Sequence, residues 1–171
     1  MKKAIIILIF LASTFVSFSQ EVNKTVIDSV SQKEMLIGKC TLEGIMNNEV
    51  FNEAFKTENK YYKIDTVAAE QLRTKLDNLS IVLFMGTWCG DSKEQVPRFF
   101  MIMDMLNFDT HSIKIYCNKR GIYADDPYAN QFNIIKIPSF IIFKDGVELG
   151  RIVETPKVSL EKDLLEIIST H

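Results

Sequence analysis

Residues Ile81 to Ser92 read Ile-Val-Leu-Phe-Met-Gly-Thr-Trp-Cys-Gly-Asp-Ser, and this stretch decides the fold. Its first five residues form an unbroken apolar run, which is typical of a central strand buried on both faces. A helix is expected to begin directly afterwards, at about Cys89. The unpaired N–H groups and the positive dipole end of a helix N-terminus favour a thiolate over a thiol. The sequence therefore predicts an activated cysteine at this turn, directly behind the only tryptophan of the chain, Trp88.

The second cysteine of a Cys-x-x-Cys redox motif is missing, because Ser92 stands in its place. A disulfide formed at position 89 must therefore be released by another thiol. Cys40 is the internal candidate for this resolving thiol, since it lies in a glycine-punctuated segment that we expect to be mobile. The alternative is that Cys40 is a small buried hydrophobe, as free cysteines often are. Cys117 alternates with Ile113 and Ile115, which favours a place in the core.

The first 19 residues have the pattern of a secretory signal peptide. Lys2 and Lys3 give a basic start, residues 4–12 are apolar, and Ser17 and Ser19 suit cleavage after position 19. The apolar run is too short to span a bilayer, so we expect no stable membrane span after cleavage. The sequence thus predicts an exported protein, periplasmic or secreted, in a compartment where disulfides persist.

Composition limits the partners of the mature chain. Loss of Lys2 and Lys3 takes the formal charge from −2 to −4, and no basic stripe remains, so nucleic acid is not an expected partner. The two histidines, His111 and His171, have no neighbouring cysteines or carboxylates at ligand spacing, so we expect no metal site and no cofactor. About 150 residues suffice for one full-sized core.

The N-terminal part of the mature chain gives weak signals. Residues 20–34 are polar and are interpreted as a loose lead-in, and residues 35–60 as including a short helix. Together we treat residues 20–60 as an N-terminal extension packed on a main domain, residues 61–171. Residues 61–64 are predicted to form a short strand. A helix capped by Asp65 or Thr66 follows, with its apolar positions continuing to residue 79.

The rest of the chain alternates strands and helices. The helix from about residue 89 to 107 contains Pro97, which is expected to kink it. Residues 113–117 alternate like a half-buried strand, and a short helix follows. Asp145-Gly146 predicts a hairpin turn after the apolar run 140–143, and a final amphipathic helix ends the chain. The expected fold class is α/β with a mixed sheet.

Two separated motifs resemble those of the thioredoxin family. Trp88-Cys89-Gly90 is followed by Pro97 eight positions after the cysteine, and Ile137-Pro138 precedes the hairpin. Over about residues 61–170 the resemblance implies a thioredoxin-like fold, a mixed central sheet flanked by helices, with a cis peptide bond at Pro138. It also implies a substrate groove at Ile137 and Pro138, where an extended segment pairs by strand addition.

The departures from the family pattern narrow the expected function. Ser92 replaces the second cysteine, Asp91 the intervening proline, and Leu83 the buried acid that thioredoxins carry. The resemblance is therefore to exported monothiol variants, with Cys89 as the attacking thiol and Trp88, Gly90, Asp91 and Ser92 shaping its site. The expected function is a thiol–disulfide oxidoreductase that reduces or isomerises disulfides through a mixed disulfide. Its partners would be protein or small-molecule thiols and disulfides. The alternative is a non-catalytic peptide-binding or chaperone-like module.

Overall fold

The computed structural model describes residues 21–121 and 126–170, and the predicted signal peptide lies outside them. No helix in these two ranges is long and apolar enough to cross a membrane. The strands are β1 (Lys24–Ile27), β2 (Glu34–Cys40), β3 (Leu79–Met85), β4 (Lys114–Cys117), β5 (Ser139–Lys144) and β6 (Val147–Val153). The helices are α1 (Leu42–Asn47), α2 (Glu49–Tyr61), α3 (Thr66–Arg73), α4 (Gly90–Met105), α5 (Pro127–Gln131) and α6 (Leu160–Ser169), with a 3-10 turn at Thr110–Ser112.

The six strands form one sheet in the order β1-β2-β4-β3-β5-β6. β3 and β4 run parallel, and the other neighbouring pairs are antiparallel. The apolar run Ile81 to Met85 belongs to β3, which lies inside this sheet between β4 and β5. A mixed sheet flanked by helices is therefore confirmed.

The two faces of the sheet bury different apolar clusters, because side chains alternate along a strand. Ile81, Leu83 and Met85 of β3 point into the larger cluster, which α2, α3, α4 and α6 cover. Val82 and Phe84 point into a smaller cluster on the other face, which α5 covers and against which Trp88 and Cys89 pack.

The N-terminal segment differs from its predicted form. Residues 24–27 are a strand and not a loose lead-in, and β2 pairs with β4, with Gly38 opposite Cys117 and Cys40 opposite Ile115. Without β2, β4 would present an unpaired row of backbone groups, which proteins avoid at exposed edges. The extension therefore completes the sheet that carries the site.

The predicted strand at residues 61–64 is wrong. Tyr61 is the last residue of α2, and the Tyr62 N–H still donates to the Glu58 carbonyl. The Asn48 side chain accepts from the Phe51 N–H at 3.2 Å and so starts this helix. α3 is capped by Asp65, as predicted, but it ends at residue 73, and residue 79 already belongs to β3.

Two local predictions near the C-terminus are confirmed. Asp145 and Gly146 have φ angles of 51° and 82°, as the primed hairpin turn between β5 and β6 requires. The Ile137–Pro138 peptide bond is cis. Pro97 lies inside α4, which continues through it to Met105.

Candidate active site

Cys89 is the residue from which α4 starts. Its backbone is extended, with φ −79° and ψ 131°, and its carbonyl accepts the Lys93 N–H at 3.1 Å. Its own N–H donates to the Gly86 carbonyl at 3.0 Å, which closes the turn after β3. The side chain is half-buried, so the thiol sits at the helix N-terminus and remains accessible to a partner. This is the electropositive, partly exposed setting in which cysteines react.

The sequence-distant Ile137–Pro138 segment faces this thiol. Cys89 Sγ donates to the Ile137 carbonyl oxygen at 3.6 Å, and both Ile137 and Pro138 are buried. The Pro138 carbonyl is already taken by the Glu154 N–H at 2.7 Å. β5 lies between β3 and β6, so Pro138 leads into an inner strand and not into an open edge of the sheet. The backbone immediately before Pro138 is therefore the part of this segment that lies outside the paired strand β5.

The three residues after Cys89 shape the site in different ways. Gly90 is exposed, and no atom lies within 4 Å of the place a Cβ would take, which leaves the approach to the thiol open. Ser92 is fully buried, and its hydroxyl oxygen accepts the Gly86 N–H at 3.2 Å. Ser92 thus stabilises the turn that carries the cysteine. Asp91 is half-buried and adds to the raised pKa of Lys136, although that shift comes mainly from the hydrogen bond to Glu154.

Three contacts hold the Trp88 side chain in place. Its indole Nε1–H donates to the Asn118 carbonyl at 2.8 Å. A Cβ on Gly86 would lie 2.8 Å from Trp88 Nε1 and 2.9 Å from Ile137 Cδ1, so only glycine allows this approach. The Arg120 guanidinium lies 4.4 Å from the centroid of the indole ring.

Two residues near this indole were not singled out by the sequence analysis. Asp28 follows β1, and Arg120 follows β4; they form an ion pair in which Arg120 Nη2 is 2.8 Å from Asp28 Oδ2. The hydrogen bond from Arg120 is the main reason that the pKa of Asp28 lies far below its ordinary value. The partners are 92 positions apart in the chain. No local pattern could have revealed the pair.

Cys40, the predicted internal resolving thiol, does not reach the site in this structure. It ends β2, is buried, and contacts Cys117. The hydrogen bond to Cys40 and complete burial both raise the pKa of the Cys117 thiol, which keeps it protonated and unreactive. These two thiols belong to the larger apolar cluster, whereas Cys89 packs on the other one. The cause is strand pairing, which places residue 40 in the core instead of a mobile segment. Cys117 is buried as predicted.

All three cysteines are free thiols. Leu83, at the position where thioredoxins carry a buried acid, is completely buried among apolar side chains. The site therefore offers one accessible sulfur nucleophile, a backbone carbonyl beside it, and a serine that is engaged with the backbone. This arrangement can form a disulfide with an external sulfur.

Comparison with known proteins agrees with this geometry. A sequence model of the thioredoxin family matches residues 63–166. Thioredoxin from Chlamydia caviae is 29% identical over 110 residues, which are 63% of this chain and 98% of that protein. Thioredoxin from Chlamydia muridarum is 34% identical over 94 residues, 54% of this chain and 82% of that protein.

Two further comparisons extend the picture. The TPR repeat-containing thioredoxin of Arabidopsis thaliana is 28% identical over 92 residues, 54% of this chain but 23% of that protein, so this chain spans only a small part of it. The crystal structure of a Pseudomonas aeruginosa protein of unknown function has a TM-score of 0.58 at 17% identity, covering 78% of this chain and 93% of that one. That likeness concerns the fold alone. Since the family match spans most of the described domain and its two motifs meet at one cysteine, the chain belongs to the thioredoxin family.

Proposed function

We propose that this protein is a thiol–disulfide oxidoreductase that works through the single active-site thiol of Cys89. One observation carries the proposal. Cys89 Sγ is accessible at the start of α4 and lies 3.6 Å from the Ile137 carbonyl, while the Ser92 hydroxyl that replaces the second thiol is bonded to Gly86. Family membership supports thiol–disulfide chemistry in general, and the monothiol mechanism is the specific part of the proposal.

The first step is attack by the Cys89 thiolate on one sulfur of a substrate disulfide. A bond forms between Cys89 Sγ and that sulfur, the substrate S–S bond breaks, and the other substrate sulfur leaves as a thiolate. The turn after β3 places the sulfur for this attack, because the Cys89 N–H donates to the Gly86 carbonyl at 3.0 Å. No electrons are gained or lost overall, because one disulfide replaces another.

The second step needs a thiolate from outside the site. It attacks the substrate sulfur of the mixed disulfide, regenerates the Cys89 thiolate and forms a new disulfide with the substrate. If the thiolate belongs to the substrate protein, the net reaction is disulfide isomerisation. If it belongs to a small molecule, two successive attacks reduce the substrate and oxidise two small thiols to one disulfide. Ser92 cannot perform this step, because a hydroxyl does not replace a thiolate as the nucleophile.

The surface around the groove favours an extended partner with an apolar residue beside its cysteine. Ile135 precedes the groove and its side chain is 82% exposed. Lys136 pairs with Glu154 at 2.6 Å on the same surface. The backbone before Pro138 would hydrogen-bond with the partner, as in strand addition, with the Ile137 carbonyl exchanging its weak thiol donor for the partner, and Ile135 would contact an apolar side chain.

The test is refolding of a protein with scrambled disulfides in a buffer containing one small thiol. Wild type should accelerate recovery of the native disulfides, and Cys89→Ser should not. Cys40→Ala is the matched control, and it should retain the activity because that thiol does not reach the site. If Cys89→Ser is as active as wild type, the proposed chemistry is wrong. If wild type binds unfolded chains but catalyses no exchange, the non-catalytic peptide-binding alternative replaces it.

We further propose that the protein is exported to the periplasm or secreted. The support is the sequence of residues 1–19, with two lysines, an apolar run and small residues before the cleavage position. The N-terminal sequence of protein isolated from the native cell envelope or medium should begin at Gln20. Recovery of the uncleaved chain from the cytosol would contradict export.

A further inference from the structure

The turn between β1 and β2 holds a buried carboxylate in a fixed orientation. The Asp28 side chain is 2% exposed, and it accepts hydrogen bonds from the Val30 N–H at 3.2 Å and the Ser31 hydroxyl at 2.7 Å. The turn itself is closed by the Asp28 N–H, which donates to the Lys33 carbonyl at 2.8 Å. These bonds fix the orientation of the Asp28 carboxylate, and the carboxylate in turn orients the one further side chain that binds to it.

That partner is Arg120. Its Nε and Nη2 donate to the two carboxylate oxygens of Asp28 at 3.2 and 2.8 Å, which is the two-point geometry that arginine and carboxylate favour. The pair fixes the plane of the guanidinium. Its other neighbour is then Trp88, with 4.4 Å between the guanidinium carbon and the ring centroid, within the range of a cation–π contact.

Arg120 also acts on the reactive thiol through its charge. The ion pair with Asp28 is the main cause of the raised pKa of Arg120, and the negative charge of the Cys89 thiolate contributes in the same direction. The interaction acts in both directions, so the charge of Arg120 attracts the negative charge that Cys89 Sγ carries when it reacts. A second hydrogen bond joins the N-terminal extension to the site: the Leu36 N–H of β2 donates to the buried Thr87 hydroxyl oxygen at 3.2 Å.

We propose that Arg120, oriented by Asp28, is a positioning residue of this active site, which fixes the Trp88 indole beside Cys89 and attracts the negative charge that the sulfur carries when it reacts. The N-terminal β1–β2 hairpin then contributes Asp28 to the site, in addition to pairing with the edge of the sheet. The inference rests on the proposed function, since it concerns the reactivity of the same thiol.

The experiment uses two readouts that a merely structural role would not move. Trp88 is the only tryptophan of the chain, so its fluorescence reports on the surroundings of this one indole. The pH profile of Cys89 alkylation by iodoacetamide, read by mass spectrometry, reports on the thiolate. Arg120→Gln should slow alkylation at pH 7 by about three- to tenfold and change the Trp88 emission. Asp28→Asn should also change the Trp88 emission, because it releases the guanidinium.

Two variants separate these effects from general loss of stability. Arg98→Gln is the matched control. Arg98 also pairs with a carboxylate, that of Glu58 at 2.7 Å, and its guanidinium lies 4.9 Å from the ring of Tyr62. It differs from Arg120 in its place, because it lies further along α4 than the site. Arg98→Gln should leave both readouts unchanged. Arg120→Lys keeps the charge without the planar stacking, so it should restore most of the alkylation rate but not the emission.

The outcomes are distinct from those of the proposed function. An unchanged emission and alkylation profile in both Arg120→Gln and Asp28→Asn, with folded protein, would overturn the positioning role and leave the exchange chemistry untouched. Equal effects from Arg98→Gln would overturn it as well. If alkylation depends on Arg120 as expected but wild type catalyses no disulfide exchange, the proposed function fails and the positioning role stands.

Discussion

Replacing Gly86 by alanine tests how closely the site is packed. The new Cβ would lie 2.8 Å from Trp88 Nε1, 2.9 Å from Trp88 Cε2 and 2.9 Å from Ile137 Cδ1. Favourable contacts need about 3.5–4.0 Å, so the indole or the isoleucine must move by roughly 0.6 Å or more. Overpacking of this kind costs about 1–3 kcal/mol, and the alanine recovers about 0.4–1 kcal/mol by restricting the unfolded chain. The expected net loss lies between about 0 and 2.6 kcal/mol in the free energy of unfolding.

The assay is urea unfolding followed by circular dichroism, with the Trp88 emission of the folded protein recorded beside it. Gly86→Ala should be destabilised and its emission shifted, since the indole must leave its bond with the Asn118 carbonyl. Gly90→Ala is the matched control, because no atom lies within 4 Å of its new Cβ. It should be neutral or gain up to about 1 kcal/mol. Equal stabilities and an unchanged emission for the two variants would refute this account of the packing.

Three further predictions follow from single contacts. Tyr62→Phe removes the hydroxyl that donates to the buried Glu161 carboxylate at 2.9 Å, and it should cost about 1–3 kcal/mol in urea unfolding, whereas Tyr61→Phe, at a side chain 66% exposed, should cost almost nothing. Asp28 has a pKa lowered by its arginine partner, so it stabilises the fold above the unfolded-state pKa of about 3.9. The loss of unfolding free energy in Asp28→Asn should thus be full at pH 7 and shrink as the pH falls below 4; a loss independent of pH would contradict the ion pair. Ser92→Cys should shorten the lifetime of a mixed disulfide in stopped-flow measurements, and an unchanged lifetime would show that position 92 does not face the sulfur.

The parts of the fold that sequence could predict are those with a strong local pattern. The apolar run of β3, the Asp145-Gly146 turn and the cis bond at Pro138 each depend on a few neighbouring residues and on the rules that govern them. The meeting of Cys89 with the segment before Pro138 was predictable only because two family motifs fell in the right order. The order and spacing of these motifs along the chain indicated the order of the strands and helices between them.

The parts that sequence missed depend on contacts between distant residues. β2 forms a strand because its backbone pairs with β4, and residues 34–40 alone carry no pattern that predicts this pairing. The burial of Cys40 follows from that pairing, so a segment that looked mobile holds its cysteine in the core. The Asp28–Arg120 pair likewise exists only after the sheet has formed, since it joins the ends of two different strands.

The most direct test of the central claim is mass spectrometry of the wild-type protein after reaction with an excess of a small oxidised disulfide. We expect one mixed disulfide, located on Cys89, which persists until an external thiol is added. Cys40 and Cys117 should remain unmodified in the folded protein, because both are buried. An internal disulfide between Cys89 and Cys40, formed with loss of the adduct, would contradict the claim that this site works with a single thiol.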